Sequence, residues 1–504
     1  MPWWLWVLVI VGGALVLLAL YDVTQKKHAI LRNFPIVGHL RYLLERVGPE
    51  LRQYIVTDND EERPFSRDQR RWVYSSAKGE NPYFGFGTDN RTEAVGYPTF
   101  RHSAFPIVAA DRPLDASPDP LPGAKVIGAR TGRAGAFRPA SIVNISGMSF
   151  GSLSGPAIEA LNRGAALAGC THNTGEGGIS DHHRKGGDLV FQIGTGLFGA
   201  RDGDGRFSMD ALLESIVDTP VRAIEIKLSQ GAKPGLGGVL PAEKVSREIS
   251  AARGVPVGVT VRSPSRHASF GDIAGLVDFV ETIADATGLP VGIKSAVGDP
   301  GFWTDLADMM ARDGRGPDFV AVDGGEGGTG AAPLVFSDHV ALPFRDGFPV
   351  VFDAFAERGL HHDVVFVGAG KLGFVPDAAI ALAMGVDLIA VGREAMLAVG
   401  CIQAQKCHTG HCPTGVATQQ RRLVRGLDPT DKANRTAGYI RALRHDLLAL
   451  SHAMGVEHPS LIRLDQIALR NAEGRMISGA DALPVDPRWF DDERRERLAA
   501  TLAA

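Results

Sequence analysis

The chain has 504 residues, 44% of them hydrophobic, which is ample for a large core and allows either two or three average domains or one barrel with extensions. Its 53 basic and 57 acidic residues are interspersed and leave a net charge of −4, which excludes a nucleic-acid partner held on a basic stripe.

The first predicted element, MPWWLWVLVIVGGALVLLAL, carries no charged side chain from Pro2 to Leu20 and is long enough to cross a hydrocarbon core. Trp3, Trp4 and Trp6 at one end and Tyr21 at the other resemble an aromatic belt, and Lys26, Lys27 and Arg32 follow. The positive-inside rule then puts the rest of the chain in the cytoplasm. We read residues 1–21 as an uncleaved single-pass anchor in the cell inner membrane rather than a signal peptide, because no basic leader and no A-x-A site precede Asp22. A reducing compartment makes disulfides unexpected. Residues 22–110, charged and rich in turn formers, are expected to be a juxtamembrane segment packing on the main domain.

Over residues 111–475 short apolar runs end in glycine-rich loops, each followed by a helical pattern: SIVNISGMSFG, AIEIKLSQG, VPVGVTVRS, LPVGIKSAVG, FVAVDGGEGGTG, VVFVGAG and LIAVGR. Apolar strands alternating with helices predict a parallel sheet buried on both faces. Their number and span fit an α/β fold, a (β/α)8 TIM barrel, with the polar residues gathered at the C-terminal ends of the strands. Ile440, Leu443, Leu447, Leu450 and Met454 fall at helical spacing and predict a helix packed on the barrel, and residues 476–504 are read as a C-terminal tail.

Two loops at the end of the barrel, VGAGKLGF and VGREAM, stand where barrels bind phosphate groups. Gly368, Gly370, Gly373 and Gly392 would allow close backbone approach, and Lys371 or Arg393 would supply the cation. A phosphorylated cofactor is implied, and FMN is the usual tenant. Cys401, Cys407 and Cys412 then stand in the spacing C-x5-C-x4-C, with Pro413 directly after. Thiolates on a stiff loop in a reducing compartment suit an iron–sulfur cluster, and the lack of a fourth cysteine nearby favours a three-iron form. Zinc, completed by His408 or His411, is the competing reading, although zinc cysteines usually sit closer together.

The motifs SGMSFGSLS, NTGEGG, IEIKLSQGAKPGLGG, DGGEGGTGAAP and CIQAQKCHTGHCPTGVATQ resemble, in order and spacing, successive signatures of the FMN-binding synthase domain of glutamate synthase, over roughly residues 140 to 470. The resemblance implies a barrel carrying FMN and a 3Fe-4S cluster held by the loop 401–412. It implies flavin contacts at Ser146, Met148, Ser149, Asn173, Gln230, Lys233, Lys294, Asp323, Gly324 and Gly325, and catalytic roles for Glu176, Lys227 and Lys233. Lys227, Arg253 and Ser149 would hold the substrate. The implied reaction is reductive amination of 2-oxoglutarate by ammonia or an amine, giving glutamate or an N-substituted glutamate. A ferredoxin-like or other donor would send electrons through the cluster to FMN.

Where the family has a glutamine after PGEGG this chain has Val239 after PGLGG, and it carries neither the family's glutamine-hydrolysing domain nor its β-helix. An ammonia-supplying subunit is therefore a possible partner. Cys170 is expected to pack near the flavin rather than ligate the cluster. An alternative is an FMN-dependent 2-hydroxy acid or amino acid dehydrogenase feeding a membrane carrier, with a base among His172, His182 and His183. A non-catalytic membrane module with a zinc knot is a third reading, which the intact glycine motifs and the lysines inside apolar strands oppose.

Overall fold

The computed structural model describes residues 2–54, 60–80, 85–108 and 121–504, with the backbone alone for 49–54. The expected boundary at 110/111 lies outside the described residues. Eight parallel strands close into a barrel in chain order: β1 (Val143–Ile145), β2 (His172–Asn173), β3 (Leu189–Ile193), β4 (Val221–Lys227), β5 (Val291–Ser295), β6 (Phe319–Asp323), β7 (Val365–Ala369) and β8 (Leu388–Val391). Strand residues alternate between the axis and the helices. In β4, Ala223 and Glu225 line the interior while Ile224 and Ile226 are fully buried against the outer layer. That explains how IEIK reads as a buried strand although it carries two charges.

The run VPVGVTVRS is not a barrel strand. Val261–Arg262 pairs antiparallel with Val239–Leu240 in a two-stranded ribbon outside the barrel. Val257 and Val259 are exposed, so its alternation of valines serves no buried sheet. Its place in the barrel is taken by β2 and β3, which the reading of apolar runs passed over.

The N-terminal end of the barrel is filled by Ile127, Phe137 and Pro139, and Lys125 ties it down. The Lys125 ammonium donates to the carbonyls of His361 (2.7 Å) and Val364 (2.9 Å) and to Asp387 (2.9 Å). The predicted helix is Pro429–Ala453, with Ile440, Leu443 and Leu447 fully buried. It crosses the helix Gly155–Ala168 closely: a Cβ on Gly164 would lie 2.5 Å from Thr436 Cβ.

Ahead of the barrel come α1 (Trp3–Thr24), α2 (Ala29–Asn33), α3 (Gly38–Tyr54) and α4 (Arg67–Lys78). A Ser66/Gln69 capping box starts α4, and Gly79, at φ 65°, ends it. Trp72 of α4 packs edge-on against Tyr439 of the long helix at 5.9 Å. The expected division at 475/476 runs through a sheet: Met476–Ser478 pairs with Ile467–Arg470, which pairs in turn with Pro98–Phe100. The stretch after it also holds a helix, Asp492–Ala503, whose Arg494 is buried.

Candidate active site

The C-terminal ends of the strands bring the charged residues of the glycine motifs together. Lys227 closes β4, and its ammonium lies 3.0 Å from Glu176 of the loop after β2 and donates to Gln230 at 2.6 Å. Lys233 and Arg253 are buried beside the same carboxylate. Burial alone would raise the Glu176 carboxyl, but Lys227, Lys233 and Arg253 outweigh it and hold the group below the usual carboxylate range. Burial lowers Lys233 despite Glu176 and pushes Arg253 down to about 10.

Below this rim lies a polar layer inside the barrel. Glu225 accepts from Asn173 (2.9 Å) and Gln192 (2.5 Å). Lys294 of β5 faces Asp323 of β6 at 3.6 Å, and Asp323 accepts the Gly231 amide at 3.0 Å. Gly231 passes so close to the loop after β6 that a Cβ would lie 1.8 Å from the Gly324 carbonyl oxygen, so only glycine fits. The loops after β1 and β2 meet equally tightly: Gly175, after β2, sits at φ 66°, and a Cβ there would meet Ser149 N at 2.5 Å. Ser149 donates to Ser152 (3.0 Å), and Arg253 donates to the Phe150 carbonyl (3.0 Å) with Ser149 at 3.4 Å. Ser146 and Met148 lie half-buried on the same loop, Ser146 facing Gly392 across the β1–β8 seam.

The two loops expected to take phosphate do follow β7 and β8. Gly370 adopts φ 120° and Lys371 φ 60°, and the helix Arg393–Val399 starts at Gly392 with no side-chain cap. At Gly368 a Cβ would point outward, meeting Leu372 at 2.9 Å and Phe344 at 3.0 Å, so the glycine also makes room for packing. Gly324 and Gly325 likewise make room for Phe344 and the Ala341 carbonyl. Arg393 bonds the Glu326 carbonyl and, like Lys371, lies over the Phe65 ring, at 4.9 Å and 5.5 Å respectively.

The cysteine loop lies directly against the loop after β1. Gln419 donates to the carbonyls of Gly151 (3.2 Å) and Leu153 (2.9 Å), and Lys244 donates to that of Cys407 (3.0 Å). The segment before the barrel covers its other side: Tyr74 donates to the Cys401 carbonyl (2.8 Å) and Asn33 to that of Pro413 (2.9 Å). Gln403 exchanges bonds with the Phe65 backbone, both at 3.0 Å. Burial pushes the Cys401 thiol up to about 12, and Cys412 and Cys407 lie near enough to add to the rise. Among the described residues no group of three His, Cys, Asp or Glu side chains is drawn in tightly enough to hold a metal ion. His411, a candidate for zinc, turns its Nδ1 onto the Thr409 carbonyl at 2.7 Å. Cys170 is buried apart from the loop, with Arg444 its nearest charged neighbour, and burial raises its thiol to about 12.

The histidines named for an oxidative base are not at the barrel mouth. His172 points outward from β2 towards Asn162 (3.5 Å), with the tilted ring of His183 at 5.4 Å. His182 lies against Phe150 and Glu159. The histidine that does reach the mouth, His267, stood out in no motif. Its Nε2 donates to the Lys227 carbonyl at 2.9 Å, its ring stacks on Phe270, and its buried Nδ1 has no partner.

Burial lowers His172 to about 3 and His183 well below its usual 6.5, so both fold as neutral rings. A depressed histidine contributes stability that is present above its unfolded pKa of 6.5 and lost as pH falls towards the folded value. Lowering pH from 6.5 to about 5 should therefore cost about 2 kcal/mol through His172 alone. Urea midpoints measured across this range check it, and they should flatten in His172→Gln.

The model for the conserved region in glutamate synthase matches residues 129–457. The glutamate synthase large subunit-like protein YerD of Bacillus subtilis is 36% identical over 489 residues, covering 91% of this chain and 93% of that protein. The archaeal-type glutamate synthase [NADPH] of Thermotoga neapolitana is 37% identical over 332 residues, 65% of this chain, and the match spans only 62% of that relative's length. A glutamate synthase large subunit-like protein of Rhizobium meliloti is 32% identical over 335 residues, 63% of this chain and 72% of that protein.

Proposed function

Because the chain belongs to the glutamate synthase family of oxidoreductases, we propose that it reductively aminates 2-oxoglutarate, giving glutamate with free ammonia or an N-substituted glutamate with a small amine, on FMN that receives electrons from an external donor through a 3Fe-4S cluster. The observation that carries this reading is the charge balance at the mouth. Lys227, Lys233 and Arg253 surround the single carboxylate of Glu176, so the pocket keeps an excess of positive charge suited to a dianionic substrate.

In this reading Lys227 and Arg253 hold the substrate carboxylates, with Ser149 beside them. Glu176 stays ionised at neutral pH, which unfits it as a proton donor and suits it to orient Lys227 and accept a proton from the amine. Lys233, whose ammonium burial disfavours, is the proton donor we assign. His267 fixes the backbone of Lys227.

The donor chemistry of the site fits FMN. Ser146, Met148, Asn173, Gln230, Lys294 and Asp323 present polar atoms and a soft side chain around the C-terminal ends of β1, β2, β4, β5 and β6, and the uncapped helix at Gly392 with Lys371 and Arg393 suits its phosphate. Bound there, FMN supplies hydride chemistry. The thiols of Cys401, Cys407 and Cys412 fit an iron–sulfur group by donor type, and such a group supplies one-electron transfer beside the loop that carries Met148 and Ser149. We further read α1 as a membrane span with the barrel on the cytoplasmic side: it is 22 residues long, with a mean hydropathy of 2.5 and none of that window buried. Extraction by carbonate without detergent would contradict the span.

Anaerobic stopped-flow tests the reaction. The reduced protein should be reoxidised by 2-oxoglutarate with ammonia, and slowly or not at all by 2-oxoglutarate alone or by glutamine without a partner. If 2-oxoglutarate with every amine tried leaves the flavin reduced, the reading fails. Val239 is half exposed beside the mouth, and the hydrogen bond that a glutamine would add there is worth about 0.5–1.5 kcal/mol. Val239→Gln should therefore lower the KM for 2-oxoglutarate by no more than about tenfold.

A further inference from the structure

Helix α3 is amphipathic, and it is mounted with its apolar face outward. Leu40, Leu43, Leu44 and Val47 fall on one side of the helix and are 59%, 56%, 62% and 41% exposed; Val37, just before it, is 66% exposed. The opposite side meets the protein. The Tyr42 ring packs edge-on against His28 at 5.1 Å, and His39 bonds Asp22 at 2.8 Å. A helix that turns its leucines away from the core and its polar side towards it has its partner outside the described residues.

The position of the stripe says what that partner is. Asp22, the buried residue at the foot of α1, accepts from both the Ile36 amide (2.8 Å) and His39, so the start of α3 is held at the end of the apolar span. At that depth a bilayer presents its headgroup and upper acyl region. Lys27 and Arg46, both exposed, suit the anionic headgroups beside such a stripe. From α2, between the two helices, Asn33 bonds the Pro413 carbonyl next to Cys412.

We propose that α3 lies in the bilayer interface as a second membrane contact beside α1, and that together they seat the cysteine-loop side of the barrel against an anionic lipid surface. This rests on the reading of α1 as a membrane span, and the test separates the two. The full-length protein is reconstituted in phosphatidylcholine–phosphatidylglycerol nanodiscs with a photo-crosslinking benzoylphenylalanine at Leu44, at Val16 of α1, or at Glu493 of the C-terminal helix, which is exposed and remote in the fold. Lipid adducts are expected at Leu44 and Val16 and only background at Glu493. Adducts at Leu44 should disappear when Leu40 and Leu43 are both replaced by Glu, while those at Val16 remain. Adducts at Val16 with none at Leu44 would overturn the proposal and leave the anchor standing. Crosslinking of Leu44 to a second chain would overturn it in favour of self-association, and absence of lipid adducts at Val16 would remove the anchor and the proposal together.

Discussion

Lys294→Met is expected to destabilise the protein by about 3–5 kcal/mol, because it removes the cation from a buried group of acids. Lys294 lies inside the barrel, 3.6 Å from Asp323 and within electrostatic reach of Glu225. Burial opposes its charge, but Asp323 and Glu225 outweigh burial and hold the group above the ordinary lysine value. Its contribution is therefore fully present below that ordinary value of 10.5 and is lost only as pH rises through the higher folded value. With methionine in its place, Asp323 keeps the Gly231 amide but no counter-charge. Urea denaturation at neutral pH checks the expectation. Adding Asp323→Asn to the variant should restore part of the loss, since an amide oxygen still accepts from Gly231 and only Glu225, held by the Asn173 and Gln192 amides, keeps its charge. A single variant within about 1 kcal/mol of the parent would mean that water, rather than the pair, solvates these groups.

The barrel was legible where both faces of a strand are buried. In FVAVD and LIAV, outward and inward residues are both apolar until the C-terminal end, and such runs read as strands from composition alone. β2 was not legible because it is two residues long and both are polar: His172 faces outward into the helix layer and Asn173 faces Glu225. VPVGVTVRS misled because valines at alternate positions signal a strand without saying which sheet it joins.

At the site, the charged residues stood out for a physical reason. Glu176 sits among glycines and Lys227 inside an apolar strand, places where an acid or a lysine has no structural use as a solvated surface group. His267 had no such contrast, in a polar loop where a histidine is unremarkable, and only the fold carries it to the Lys227 carbonyl. Gly368 shows the opposite ambiguity. A glycine at a strand end is needed equally for a phosphate and for a phenylalanine, and here Phe344 takes the space. The cover over the cysteine loop, from Asn33, Phe65 and Tyr74, joins residues more than 300 positions apart in sequence, so no local pattern could announce it.

That cover and the loop beneath it make Cys407→Ser the most decisive substitution. The loop is held at both flanks by backbone bonds that do not involve the sulfurs: Gln419 to Gly151 and Leu153, Tyr74 to the Cys401 carbonyl, and Lys244 to that of Cys407 itself. Serine at 407 leaves all of these in place, so the fold and the flavin absorption should survive while bound iron and its electron paramagnetic resonance signal disappear. Cys170 lies buried away from the loop beside Arg444, and Cys170→Ser should leave the iron intact, at a cost in stability only. Three thiols are too few to complete a four-cysteine site, His411, one of the two histidines that could complete a zinc set, is engaged with Thr409, and the cysteine spacing is longer than zinc sites usually take, so iron in a three-iron form is expected over zinc. Metal analysis of the parent protein gives the contrary outcome its chance. Stoichiometric zinc that survives in the parent and vanishes in Cys407→Ser would assign the same three residues to a structural knot, and the electron donor would then have to reach the flavin by another face.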